Sequence, residues 1–246
     1  MHRRTNFFIT FALAVVIVIL FSNISQAQEM TPAAKESAGM GYSMFGRGTI
    51  GIEDLNAQLE SAGYSRMSDN FFSAGGGGHA IVNSRFVIGG EGHALLGESV
   101  TSGNYQSSVN MSYLFFDLGY VVFSNRDLRV YPLLGLGGGS MNFRIIEEAT
   151  SLSMDEILAN PDRGVQISTG GFLLNLAIGV DYLLNFSGDK NDRAGMFFGI
   201  RAGYTISPAK GSWAMDEIEI SGAPEIGMTG PYIRFMIGGG AIGKKE

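Results

Sequence analysis

Over residues 171–206 the side chains alternate with a period of two on both sides of one polar turn. Phe172, Leu174, Leu176, Ile178, Val180, Tyr182 and Leu184 occupy even positions, with Leu173, Asn175, Ala177, Gly179, Asp181 and Leu183 between them. Beyond the turn at 187–193 the parity holds. Met196, Phe198, Ile200, Ala202, Tyr204 and Ile206 are even, and Phe197, Gly199, Arg201, Gly203 and Thr205 are odd. Alternate side chains of a β-strand point to opposite faces, so one face is continuously apolar. The other face is small, with only Asn175, Asp181 and Arg201 as strongly polar groups besides Thr205. A soluble sheet hides its apolar face and shows water a charged one. A face this sparse suits a narrow, closed interior, which is the alternation of a membrane-barrel strand.

Composition points the same way. Hydrophobic residues make up 45% of the chain and charged residues 16%, against ~25% charged in ordinary soluble domains. Glycine is abundant, at 36 residues, without a collagen-like period. The absence of cysteine excludes a lipid-modified N-terminal cysteine and any disulfide framework. Residues 1–27 read as a cleaved secretory signal: a basic start at Arg3 and Arg4, an apolar run over 7–21, and the small-x-small site Ser25-Gln26-Ala27. A polar lead-in spans 28–36, one domain covers 37–243, and 244–246 form a short tail. No later apolar run is long enough for a membrane helix. The other structure that satisfies every backbone group in lipid is the closed barrel.

Eight strands are predicted, over 37–49, 70–82, 86–97, 105–123, 128–143, 172–184, 196–206 and 231–242. In the second hairpin an even sum of positions pairs Val82 with Phe86, which places Gly77 opposite Glu91, Gly75 opposite His93 and Gly89 opposite His79. Strand four changes parity near Phe116 and Asp117, which predicts a β-bulge. Pro132 lacks a ladder donor and predicts an irregularity in strand five. Ile52, Leu55, Leu59 and Ala62 recur at helical spacing and end at Gly63, giving a loop helix that serves as a lid or packs on the rim. Ser153 to Glu156 has the capping-box pattern, and Asn160-Pro161 stops the helix it starts. The first, third, fifth and seventh connections are longer than the others, so both termini are expected on the periplasmic side.

The whole stretch 37–243 resembles the small eight-stranded outer-membrane barrels of Gram-negative bacteria, the OmpA/OmpX type. It also resembles glycine-rich secreted barrels in runs such as Gly75-Gly76-Gly77-Gly78-His79 and Gly89-Gly90-Glu91-Gly92-His93. The resemblance implies an all-β, eight-stranded, antiparallel, up-and-down transmembrane β-barrel with short helices in two outer loops. It implies an outer-membrane location, contact with outer-membrane lipid and lipopolysaccharide, passage through the barrel-assembly machinery, a monomeric state and no nucleic-acid partner. Such barrels usually end on an aromatic residue; here the last residues are Gly238 to Glu246.

Arg47, His79, Glu91, His93, Asp117, Asp181, Arg201 and Arg234 are expected to form a polar network in the lumen, with Asp181 paired to Arg201. His79, Glu91 and His93 are zinc-ligand types, but the register puts the two imidazoles on opposite sides of Glu91, so no metal site is expected. The glycine runs lack the following helix of a dinucleotide loop. Serine, histidine and aspartate are present without a nucleophile elbow, so neither catalytic residues nor a cofactor are expected. The longer connections carry 14 Asp or Glu against Arg66, Arg144, Arg163 and Lys210. Clusters such as Glu147-Glu148 and Asp216-Glu217-Glu219 could hold divalent cations against lipopolysaccharide, or simply form a solvated acidic rim. Trp213 either anchors at the headgroups or caps the mouth. The expected role is structural or surface-interacting, with a small porin-like or ligand-binding barrel as the alternative and a soluble lipocalin-like barrel as the third.

Overall fold

The computed structural model describes residues 36–125, 127–148, 153–159, 164–187 and 192–244. The expected signal segment and most of the lead-in, the Asn160-Pro161 stop and Lys190 lie outside the described residues. Eight long strands form the described body: β1 (Glu36–Thr49), β2 (Asn70–Val82), β3 (Phe86–Leu96), β4 (Tyr105–Tyr120), β5 (Leu128–Glu147), β6 (Gly164–Asn185), β7 (Arg193–Ile206) and β8 (Gly230–Lys244). Each pairs antiparallel with the next, and β8 closes on β1 from Glu36↔Lys244 to Gly48↔Tyr232. The result is an all-β, closed, up-and-down barrel in which no long strand has an unpaired membrane-depth edge.

The outer face is apolar. Leu114 is 69% exposed, and Phe86, Ile178, Ile233 and Phe235, on other strands around the wall, are exposed as well. Such a belt is stable against hydrocarbon, not against water, which removes the soluble lipocalin-like alternative. The 14 residues of β1, at ~3.3 Å each and tilted by ~40°, span roughly 35 Å, enough for an apolar band ~25 Å tall. The strands β5 and β6, with 20 and 22 residues, overshoot that height at the long-loop end. They therefore absorb much of the connection predicted over 144–169.

The hairpin of β2 and β3 adopts the expected register, with Gly77↔Glu91, Gly75↔His93 and His79↔Gly89. Asn83 and Ser84 turn it at φ 53° and 61°. A Cβ on Gly77 would lie 2.9 Å from the Glu91 Cβ, and one on Gly89 would lie 2.6 Å from the His79 Cβ. These inward glycines leave room for the bulky groups across from them. Pro132 falls where β4 has ended at Gly119↔Leu133 and the short strand Phe123–Asn125 has not yet begun its pairing with Val130. Its missing donor therefore costs no ladder bond on that side.

Two expectations fail for one reason. No bulge interrupts β4, which pairs continuously with β3 and β5. Its odd residues Val109, Met111, Tyr113, Phe115 and Asp117 all point inward. Arg47 is not in the lumen: it is exposed on the outer face, paired with Phe72 and Ile233, while Met40, Tyr42 and Met44 are buried inside. In both strands apolar residues fill the lumen, so an apolar face does not by itself mark the lipid side.

The lumen is packed in layers. At the long-loop end Phe71, Leu95, Met111, Phe115, Met141 and Leu173 join the loop residues Ile50, Ile52, Trp213, Ile226 and Met228 in one apolar cluster. Helix α1 (Glu53–Ser61) contributes Leu55 and Leu59 to the same cluster, so it lies over the mouth as a lid. Gly63, at φ 84°, turns the chain after it, and Asn56 exchanges two hydrogen bonds with the Met67 backbone to hold the return. Trp213 is a cap of the mouth: it is buried and donates to the Pro224 carbonyl at 2.8 Å. At the short-turn end Met40, Ile81, Val87, Leu133, Leu183 and Phe197 form a second apolar cluster. Helix α2 (Met154–Ala159) opens with the expected capping box, Glu156 N–H to Ser153 Oγ at 3.2 Å and Ser153 N–H to Glu156 Oε2 at 2.8 Å.

Candidate functional site

Charged and hydrogen-bonding side chains occupy the lumen, and every strand supplies at least one of them. Glu91, on β3, is the hub. Its Oε2 accepts from Arg201 Nη1 on β7, and its Oε1 accepts from Arg234 Nη1 on β8 at 3.5 Å. Arg201 Nη1 also lies 3.6 Å from Asp117 Oδ2 on β4. Arg201 and Arg234 are direct register partners, an arrangement that is repulsive alone. The shared carboxylate offsets it, and Arg234 further donates Nε to Ser73 Oγ at 3.1 Å and stacks over the Tyr232 ring at 3.8 Å.

A second branch runs through Asp181 on β6. Tyr131, on β5, donates its hydroxyl to Asp181 Oδ2 at 2.6 Å, and His79 Nε2, on β2, lies 3.1 Å from the same oxygen. The other ring nitrogen of His79 meets the Tyr42 hydroxyl of β1 at 3.2 Å. Arg201 Nη2 joins the two branches by donating to Tyr42 at 3.3 Å and Tyr131 at 3.5 Å. His93 Nε2 is 3.1 Å from both Glu91 Oε1 and Arg234 Nη1. That nitrogen donates to the carboxylate or accepts from the guanidinium, and one proton decides which.

Seven of the eight expected lumen residues are buried: His79, Glu91, His93, Asp117, Asp181, Arg201 and Arg234. Arg47 stands apart on the outer face. The expected pairing of Asp181 with Arg201 is replaced. The register sets Asp181 opposite Gly199 and Arg201 opposite Gly179, and the long guanidinium reaches across the lumen to β3 and β4 instead. The metal-ligand types are also dispersed, since His79 belongs to the Asp181 branch while His93 and Glu91 share Arg234. Sequence reasoning missed Tyr42, Tyr131, Tyr232 and Arg129, and placed Asn175 on the inner face without including it in the network. Arg129 shares the parity of the inward glycines of β5 and is buried near Glu36 at the short-turn end, 4.0 Å away. There Arg193 bonds Asp127 at 2.9 Å and Glu36 at 3.1 Å, forming a smaller ionic cluster.

The arrangement is a cross-brace. Its members lie in a lumen whose two ends hold apolar clusters, and each ion has a partner on another strand. Among the described residues, however, Asp117 Oδ1 and Asp181 Oδ1 accept no hydrogen bond and Arg201 Nε donates none. Desolvated charges of this kind persist only when paired and hydrogen-bonded. An eight-stranded barrel has an interior just wide enough for side chains, and here those side chains fill it.

Fold and lining define a small eight-stranded transmembrane β-barrel, with the architecture of the outer-membrane barrels. Among solved structures, the chain is similar to Ail, the attachment invasion locus protein of Yersinia pestis, at 15% identity over 85% of this chain and 98% of that one, with a TM-score of 0.38. It is similar to a major outer membrane protein from Thermus thermophilus at 11% identity, 83% and 98% coverage and a TM-score of 0.45. It is also similar to the outer membrane protein OprG from Pseudomonas aeruginosa at 12% identity, 86% and 97% coverage and a TM-score of 0.34. These likenesses concern the fold alone. No protein-family model matches the chain, and no curated protein matches its sequence.

Proposed function

We propose that the chain is a non-enzymatic outer-membrane barrel, closed to solutes, that acts through its outer loops in a structural or surface-interaction role. The observation that carries this reading is the filled lumen: an apolar cluster under the α1 lid, the cross-braced ions, and a second apolar cluster at the short turns. A pore of stated selectivity would favour a ring of one sign at its constriction, whereas here carboxylates and guanidiniums alternate. With transport disfavoured, the parts left to meet other molecules are the long loops. In this reading the long loops face outward and both termini face the periplasm. The barrel is a monomer delivered by the assembly machinery, and its neighbours are outer-membrane lipid and lipopolysaccharide. Exposed Glu147 and Glu148 suit divalent-cation bridging to lipopolysaccharide. Purified protein in a planar bilayer tests the reading. Little or no steady conductance is expected, and a stable open channel of porin-like size would reject it in favour of a pore.

A further inference from the structure

The last outer loop folds into a small hairpin whose strands are Ala214–Met215 and Ile218–Glu219. It docks beside β6 through Ala214↔Ser168. Met215 pairs with Ile218, and the Ile220 N–H donates to the Trp213 carbonyl at 2.8 Å. Residues two apart on a strand share a face, as do direct partners across a ladder. Trp213, Met215, Ile218 and Ile220 therefore form one apolar face of this hairpin. The barrel covers only half of it. Trp213 is buried in the mouth cluster and Ile220 packs against that cluster, but Met215 is 41% exposed and Ile218 is 69% exposed.

At this end Ile50, Ile52, Leu55, Leu59, Ile226 and Met228 are buried, while Met154 and Leu158 of α2 are exposed as well. What sets the hairpin apart is that its bare residues continue a face whose other half is packed into the mouth. The bare half also carries charge. Asp216 and Glu217 make the turn at φ 47° and 70°, and Glu219 follows, all three exposed. Within the same loop a hollow of about 500 Å³, lined by Lys210, Trp213, Glu219 and Glu225 among others, adjoins the hairpin. An overhanging apolar face edged by the turn carboxylates Asp216 and Glu217, with Glu219 on the reverse face of the same hairpin, fits a partner that is both apolar and cationic; anionic partners are repelled.

We propose that Met215 and Ile218, with Asp216 and Glu217 at the turn beside them, are a docking surface for a cationic peptide segment bearing large apolar side chains. The proposal rests on the reading of the barrel as a surface-interaction protein and names the chemistry of its partner. Apolar contact supplies the anchor, and the carboxylates set orientation, encounter rate and salt dependence.

The test uses the full barrel in nanodiscs of zwitterionic lipid, with empty nanodiscs as baseline. The probe is a fluorophore-labelled peptide of lysine and leucine, compared with a glutamate–leucine counterpart by anisotropy. The lysine–leucine peptide should bind the protein above baseline, more weakly as salt rises, and the glutamate–leucine peptide should not. The double change Met215→Ser with Ile218→Ser should weaken binding about tenfold or more. A second variant, Asp216→Asn with Glu217→Gly, gives the turn a sequence favoured for two residues at positive φ, so the hairpin stays formed. It should lose affinity and much of the salt dependence. Equal binding of both peptides, or unchanged affinity in either variant, overturns the docking surface. A conducting channel overturns the parent reading, and that is measured separately, so the two failures are distinguishable.

Discussion

Replacing Arg201 by methionine probes the cross-brace most directly. The guanidinium serves Glu91, Asp117, Tyr42 and Tyr131 at once. Its loss leaves Glu91 with Arg234 at 3.5 Å. Asp117 then has no cation within ion-pair range among the described residues. Breaking a buried pair from one side costs on the order of 3–5 kcal/mol, because the remaining charge stays desolvated. Glu91→Gln should cost a similar amount, since it removes the carboxylate that separates two facing guanidiniums. Directly interacting residues couple by about 0.5–3 kcal/mol. The double variant Arg201→Met with Glu91→Gln should therefore lose about 2 kcal/mol less than the sum of the singles. Asp181→Asn offers the contrast, because Asp181 meets Arg201 only indirectly, through the Tyr131 hydroxyl and through His79 and Tyr42. Its coupling to Arg201→Met should be about 1 kcal/mol or less. Urea unfolding in lipid vesicles, followed by the mobility shift of folded against unfolded barrel on unheated gels, measures each term. If Asp181 couples to Arg201 as strongly as Glu91 does, the guanidinium pairs along the wall instead of across the lumen, and the cross-brace is wrong.

Three further outcomes are expected. Ile178→Arg or Ile200→Arg, both on exposed positions of the belt, should each cost about 2–4 kcal/mol near the midplane. Ala177→Ser on the lumen side should cost less, as read by the same unfolding assay. Gly77→Ala brings a Cβ to 2.9 Å from the Glu91 Cβ and should destabilise by about 1–3 kcal/mol through overpacking. Gly41→Ala meets nothing within 4 Å and should be neutral, or stabilising by up to about 1 kcal/mol through the unfolded chain. Cysteines replacing Glu148 and Glu217 should react with a membrane-impermeant reagent on intact cells, and one replacing Lys190 should not. Labelling at Lys190 would invert the orientation.

Strand number, order and most of the face assignments were legible in the sequence, because a period of two survives wherever one face is consistently small or polar. The β6–β7 hairpin shows this best: Asn175, Asp181 and Arg201 interrupt one face and nothing charged interrupts the other. The register of β2 and β3 was legible because the short turn admits few pairings of the right parity. The site was legible as a set of residues, not as a set of bonds. Backbone register places Cα atoms, but an arginine side chain can span half of so narrow a lumen. Its partner is thus chosen by what stands across the barrel, and no local pattern reports that. The aromatic members were hidden because a tyrosine counts as apolar in a pattern, although Tyr42, Tyr131 and Tyr232 all put their hydroxyls into the network.

The misplacement of Arg47 has a resolution that lies in closure itself. Paired residues on neighbouring strands share a face, so an assignment made on one strand propagates to the next. Ile233 is outward on its own evidence, between Tyr232 and Arg234, and its partner on β1 is Arg47. The opposite neighbour, Phe72 on β2, is outward as well. Turning Arg47 inward would shift β1 by one residue against both neighbours, expose Met40, Tyr42 and Met44, and bury Gly39, Gly41 and Ser43 in their place. Hydrocarbon would accept those side chains, so the outer face alone does not forbid the slip. The lumen forbids it: without Tyr42, His79 loses its second partner and Arg201 loses one of its four. The buried ions therefore do for register what a polar face in water does for a soluble sheet, and a barrel with apolar residues on both sides of its wall has need of them.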